Sequence, residues 1–317
     1  MAFEYTSIAT TGGWSTNTVK PAWDLLFRTA LNPMPVCRQF VDVRPGRPTH
    51  SGDSITLQLT ANHSEATVTA AKTPLGEESD VDATKHPATT SVTLTPKEYG
   101  FAEVRTLKLS NRSMVPVEPE MARVVADHCG KTIDELLQDQ MVLGTQVYRG
   151  GGAASTGVLT TGNTLTSDMI RLSVTKLRAN GADARDGQFF AGIIHPNVSY
   201  DLRKESGSGG WRLPQEYGQT QSRLYKGEIG EWEGVRFIEN PRTRKANDGA
   251  SSATVYRSYI LGREALAEAV VEEPNLKFGP VVDRLGRFLP VGWYGDLDFK
   301  IFRDQALVRL ETVTAAS

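Results

Sequence analysis

Five histidines and two cysteines are the natural places to look for chemistry in this chain of 317 residues. Histidine is the most frequent general acid or base, and it works only with partners held within hydrogen-bond reach. His63 and Glu65 sit close together, with His86 further along the same polar stretch, but their spacing matches no zinc or iron pattern. His128 adjoins Cys129, and adjacency does not create a nucleophile–base pair. In His195-Pro196 the proline reads as the first residue of a helix, not as part of a catalytic strand end. Gly207-Ser208-Gly209 lacks the strand–turn–helix setting of a nucleophile elbow. Arg149-Gly150-Gly151-Gly152 lacks the Lys-Ser/Thr that completes a phosphate loop. Asp296 and Asp298 alternate on an expected strand and read as a solvated face. Cys37 and Cys129 are too far apart for a metal pattern and too few for a disulfide framework. No catalytic, cofactor-binding or metal-binding residue is assigned, no cofactor is expected, and the chain is read as a non-enzyme.

The elements that would carry a site are more informative than the candidates. Residues 1–35 hold Trp14, Trp23 and Phe27 around a short helix expected from Pro21 to Ala30. So short a segment cannot bury these rings alone, so it must lie on the rest of the chain or on a neighbour. Ile55-Thr56-Leu57-Gln58-Leu59-Thr60 alternates with the period of a strand, as do Ser91–Leu94 and Ala102–Arg105. Between them, residues 62–88 are polar and include Glu65, Lys72, Glu77, Glu78, Asp80, Asp82 and Lys85. The pattern describes a long two-stranded excursion that needs outside support, because an isolated hairpin is marginal in water. Val117–Leu143 then repeats apolar residues at three- and four-residue steps, a helix roughly 37 Å long. Gly144 is expected to end it, and Gly150-Gly151-Gly152 reads as a hinge.

Beyond the hinge the chain becomes mixed. A helix is expected over Asp168–Asn180 with Ser167 as its cap, then a buried strand at Phe189–Ile194 and a helix from Pro196 to Leu202. Strands are expected at 227–230, 234–238 and 256–261, a short helix at Glu264–Ala269, a turn at Leu285-Gly286-Arg287, and closing strands at 300–302 and 307–311. Net charge is -2 with no basic tail, so a dedicated nucleic-acid reader is not expected. No cationic leader precedes an apolar run at the N-terminus, and no apolar run is long enough to cross a bilayer. Synthesis in a cytoplasm and no membrane contact are expected.

Four ordered segments resemble the phage major capsid family named after the coat protein of phage N4. They are Ile194-His195-Pro196 with Tyr200-Asp201-Leu202-Arg203, Gly227-Glu228-Ile229-Gly230 with Gly234–Asn240, Tyr259–Ala265, and Asp283-Arg284-Leu285-Gly286-Arg287 with Val291-Gly292-Trp293. The resemblance covers roughly residues 190–295, and only the layout supports it in the N-terminal half.

The resemblance implies an α+β chain with the HK97-type capsid fold. Residues 1–51 would be the N-terminal arm and lead-in, and 52–106 the extended β-hairpin called the E-loop. Residues 107–159 would be the spine helix and peripheral domain, 160–275 the axial domain, and 276–317 the return to the peripheral domain. It further implies a major capsid protein that assembles with itself into hexamers and pentamers around a genome. A separate scaffolding protein, a portal and an optional decoration protein would be partners, and contact with packaged DNA would be non-specific. Contacts between copies would fall to Trp14, Trp23, Phe27, Glu65, Lys72, Glu77, Glu78, Asp80, Asp82 and Lys85, with Gly150–Gly152 as the hinge. The expected location is the virion capsid, assembled in a bacterial cytoplasm. An encapsulin-like nanocompartment shell, a tail-tube protein and an α/β enzyme with an unrecognised site stand as alternatives.

Overall fold

The computed structural model describes residues 36–44, 53–60, 63, 67–68, 71–72, 74, 85–113, 117–204, 228–279 and 285–315. In chain order these form β1 (Asp42–Arg44), β2 (Ile55–Thr60), β3 (Thr89–Leu94), β4 (Lys97–Thr106), α1 (Leu107–Arg112) and α2 (Val117–Met141). There follow β5 (Val147–Arg149), α3 (Ser167–Ala179), β6 (Phe190–Ile194), α4 (Pro196–Lys204), β7 (Glu228–Trp232) and β8 (Val235–Glu239). The chain closes with β9 (Lys245–Ala246), β10 (Val255–Leu261), β11 (Leu266–Phe278), β12 (Phe288–Ile301) and β13 (Leu307–Val313). The α+β class holds.

A seven-stranded sheet runs β5-β13-β10-β6-β8-β7, with β9 paired to β10. Its centre is apolar throughout: all five residues of β6 are buried. Gly192 has no side chain because the Phe237 ring occupies that space; a Cβ there would lie 2.5 Å from the ring. Helix α3 turns Ile170, Val174 and Leu177 inward, and α4 does the same with Val198 and Leu202. The cap of α3 is Thr166, whose hydroxyl accepts from the Met169 amide, one residue earlier than expected. Ser167 instead accepts the Trp232 indole N–H at 3.0 Å. His195 ends β6 by taking the Asn197 amide on its Nδ1 at 3.1 Å, which starts α4 as a capping side chain would.

A four-stranded sheet runs β1-β11-β12-β4, antiparallel except for the β1–β11 pair. Helix α2 lies against it and buries Val125, Ile133, Leu137 and Met141. One continuous core links both sheets, from Phe40 and Leu137 through Phe190, Phe237 and Tyr259 to Leu266, Leu297 and Phe299. One local expectation fails here. Glu264–Ala269 is no helix: Glu264 turns the chain at φ 57°, and Leu266–Val270 pair with Ile301–Leu297 in β11–β12. Pairing with a distant strand overrides the helix preference of this alanine- and glutamate-rich run. The closing strand expected at 300–302 is the end of a longer one, since β12 runs unbroken from Phe288 to Ile301. β13 joins β10 and β5 in the seven-stranded sheet. Strand β11 belongs to the four-stranded sheet, so the chain crosses between sheets at 262–265 and 302–306.

Candidate assembly interface

Any lattice-building surface must sit on a body that does not deform, and three polar anchors make this body stiff. The first is Asp134 of α2, 1% exposed. It accepts the Cys37 amide at 3.0 Å, the Gln138 amide at 3.2 Å and the Asn240 amide at 2.8 Å. One carboxylate therefore ties the residues before β1, the long helix and the end of β8. Burial first, then the neighbouring Asp134, push the Cys37 thiol well above its usual range. The second anchor is Glu268 of β11, whose side chain is fully buried and bonded to the Arg38 guanidinium at 2.9 Å. Burial raises the Glu268 carboxyl despite that partner. Burial opposes the charge on Arg38, but its bonds to Glu268 and Glu273 outweigh this and raise it. The third is Glu311 of β13, with Arg149 at 2.8 Å, Arg309 at 3.1 Å and Arg257 at 3.8 Å. It locks β5 and β10 to the C-terminal strand.

Onto this body is set a ribbon of β2 and β3, antiparallel from Ile55↔Leu94 to Thr60↔Thr89. Ile55, Leu57 and Leu59 alternate with exposed Thr56, Gln58 and Thr60. The ribbon is shorter than the 52–106 excursion read from sequence, because β4 is already part of the four-stranded sheet. Nor is its root unsupported. Leu94 is fully buried on Ala267 and Ala269, with Ile55, Leu57 and Phe302 around it. Lys300 donates to the Thr93 carbonyl at 2.6 Å, and Asp298 accepts the Thr95 amide at 2.8 Å, so Asp298 is an anchor and not merely a solvated face.

Of the contact residues expected from sequence, Lys72 and Lys85 are exposed. Trp14, Trp23, Phe27, Glu65, Glu77, Glu78, Asp80 and Asp82 lie outside the described residues. Gly151 and Gly152 adopt φ of 63° and 70°, open to glycine with little penalty. Gly150 is buried against Asn163, whose side-chain amide donates to its carbonyl at 3.1 Å.

The histidines do structural work. His195 is buried, and burial first, then Lys245, lower its pKa. His128 stacks on Phe101 at 4.3 Å between centroids and accepts the Trp293 indole N–H at 3.1 Å, pinning α2 to β4 and β12. Sequence reasoning missed that role, and no local signal carries it. It also passed over the exposed apolar side chains of Val104, Leu107, Leu109 and Leu285; the Leu107 amide donates to the Arg287 carbonyl at 2.9 Å. Among the described residues no group of three or more His, Cys, Asp or Glu could hold a metal, and no helix is long and apolar enough to cross a membrane.

Residues 141–281 match the family described as phage capsid protein. No curated protein matches the chain in sequence. Among solved structures, the capsid of Ralstonia phage GP4 is similar over 98% of each chain, with 14% identity and a TM-score of 0.74. The cyanophage Pam1 capsid asymmetric unit is similar over 98% of this chain and all of that one, with 13% identity and a TM-score of 0.67. The acid-stable capsid of Helicobacter pylori bacteriophage KHP30 covers 99% and 100%, with 12% identity and a TM-score of 0.62. Identities this low show the fold alone, over 98–99% of this chain.

Proposed function

We propose that this chain, a phage capsid protein by the family its residues match and by its HK97-type fold, is the major subunit of a tailed-phage head. It is a structural protein of the virion capsid and associates with itself, not an enzyme. The alternatives of an encapsulin-like shell, a tail tube or an α/β enzyme are not favoured, since the matched family and the similar structures reported above are phage capsids.

The observation that carries this reading is the structural match at 98% of both chains. We take hexamers and pentamers as its units, with a separate scaffolding protein and a portal directing closure in the host cytoplasm. A decoration protein is an optional further partner, and contact with packaged DNA would be non-specific. In this scheme the arm carrying Trp14, Trp23 and Phe27 and the polar ribbon residues Glu65–Lys85 grip neighbouring copies. The turn at Gly151–Gly152 takes up the difference between five- and six-fold settings. Many weak contacts then add up through the lattice. Co-expression with the phage's scaffolding protein, followed by electron microscopy, tests it: closed shells of uniform diameter are expected. A chain that stays a monodisperse monomer at high concentration with the scaffold present would refute it.

A further inference from the structure

The first amides of a helix need an acceptor, and Ser, Thr, Asp and Asn supply one throughout the neutral pH range. α3 follows that rule with the Thr166 hydroxyl. α4 does not. Its cap is His195, whose Nδ1 accepts the Asn197 amide at 3.1 Å, while its carbonyl accepts the Val198 and Ser199 amides at 2.9 and 3.0 Å. An imidazole nitrogen accepts only while it carries no proton, and imidazole is the side chain that changes charge near neutrality. With a proton on Nδ1 the ring would aim an N–H at the N–H of Asn197. It would also set a positive charge at the positive end of the helix dipole.

The surroundings leave the ring little room to turn away. His195 is 8% exposed, and its centroid lies 4.7 Å from that of the Tyr256 ring of β10. The charged groups near it are Lys245 of β9 and Glu239 of β8, with Asp201, Arg203 and Lys204 further along α4 itself. Burial first, then Lys245, disfavour the proton; a hydrogen bond to the Pro241 carbonyl and the charge of Glu239 favour it, and the balance lowers the pKa.

What α4 holds makes this cap consequential. Val198 and Leu202 are each 1% exposed in the core. The Thr314 hydroxyl donates to the Asn197 carbonyl at 3.1 Å, and Asp201 accepts the Ala315 amide at 3.1 Å, so the residues that follow β13 are moored on the same helix. With nine residues α4 has little more than two turns, so its first turn is a large part of it.

We infer that His195 is a proton-operated latch: the neutral ring holds the first turn of α4 and the chain moored there, and the protonated ring lets both go. This goes beyond the shell reading and does not depend on it. The folded chain favours the neutral ring, so the latch stabilises fully above the ordinary imidazole value of about 6.5. That contribution is lost as pH falls from there through the lowered value of the folded chain.

Amide exchange on the unassembled chain, at about pH 7.5 and about pH 5 and corrected for intrinsic rates, tests the latch. Residues 196–204 should lose at least about fivefold in protection at the lower pH, while hydroxyl-capped α3 at 167–179 changes by less than about twofold. His195→Asn keeps a capping acceptor that does not titrate and should abolish the acid loss. His195→Ala should leave 196–204 poorly protected at both pH values. A wild-type chain with no acid loss in α4 overturns the inference. So does an Asn variant that loses as much as wild type, since Glu239 or Asp201 would then be the responding group. Where the Asn variant does not fold, the wild-type comparison decides: loss confined to α4 upholds the latch, and equal loss in α3 and α4 overturns it.

Discussion

Replacing Asp134 with Asn changes one oxygen for an NH2 group at the junction of the pre-β1 segment, α2 and β8. The new residue keeps an oxygen for the Cys37 amide but turns an NH2 toward the Gln138 and Asn240 amides, both of which donate to Asp134 Oδ2. Asn240 cannot simply flip, because its own Oδ1 accepts the Arg242 amide at 2.9 Å. Two buried donors are therefore left facing a donor. At about 1–3 kcal/mol for each unsatisfied buried group, less some relief from no longer burying a charge, the loss should be about 2–4 kcal/mol. That is a large part of the roughly 5–15 kcal/mol that holds an ordinary domain. Urea unfolding of the unassembled chain, followed by tryptophan fluorescence, measures it. The exchanged pair Asp134→Asn with Asn240→Asp restores a donor–acceptor match across the junction and should recover at least about half of the loss. A single variant within about 0.5 kcal/mol of wild type would refute the claim that this carboxylate binds the three segments together.

Arg38→Met should cost about 3–5 kcal/mol at pH 7, since it strands a buried carboxylate at Glu268. Burial raises the Glu268 carboxyl in the folded state, so its ionisation opposes folding above that raised value. Much of the Met variant's deficit should therefore disappear as pH falls toward the ordinary carboxylate range; a deficit that does not change with pH argues against it. Cys37 should resist maleimide at pH 8 in the folded chain and react only on unfolding, because burial keeps it as the thiol; rapid labelling of the native protein counts against its placement. Gly192→Ala forces a methyl group against the Phe237 ring and should cost about 1–3 kcal/mol in thermal unfolding, with an unchanged melting temperature as the contrary result.

What could be seen in the sequence divides along a physical line. The two helices at 167–179 and 196–204 and the strands at 190–194, 228–232 and 235–239 are written locally, in apolar spacing, a capping residue or a bounding glycine, and they stand within a few residues of where those signals put them. The misreadings all involve a partner far along the chain. Residues 264–269 have the composition of a helix, and only pairing with 297–301 makes them a strand. β13 shows its alternation plainly, yet nothing in it says which sheet it will join. His128 looks like an idle helix residue until Trp293 arrives from β12. The root of the ribbon seemed unsupported because Leu94 rests on two alanines more than 170 positions away. Assembly extends this rule by one step. If an element is completed within the chain by residues its own segment does not name, an edge left open within the chain can be completed by a copy that the single chain does not contain. Among the described residues β1, β2 and β4 each end a sheet with no strand beyond them, so contacts between copies should be sought in backbone hydrogen bonds at such edges as well as in charged side chains on the ribbon.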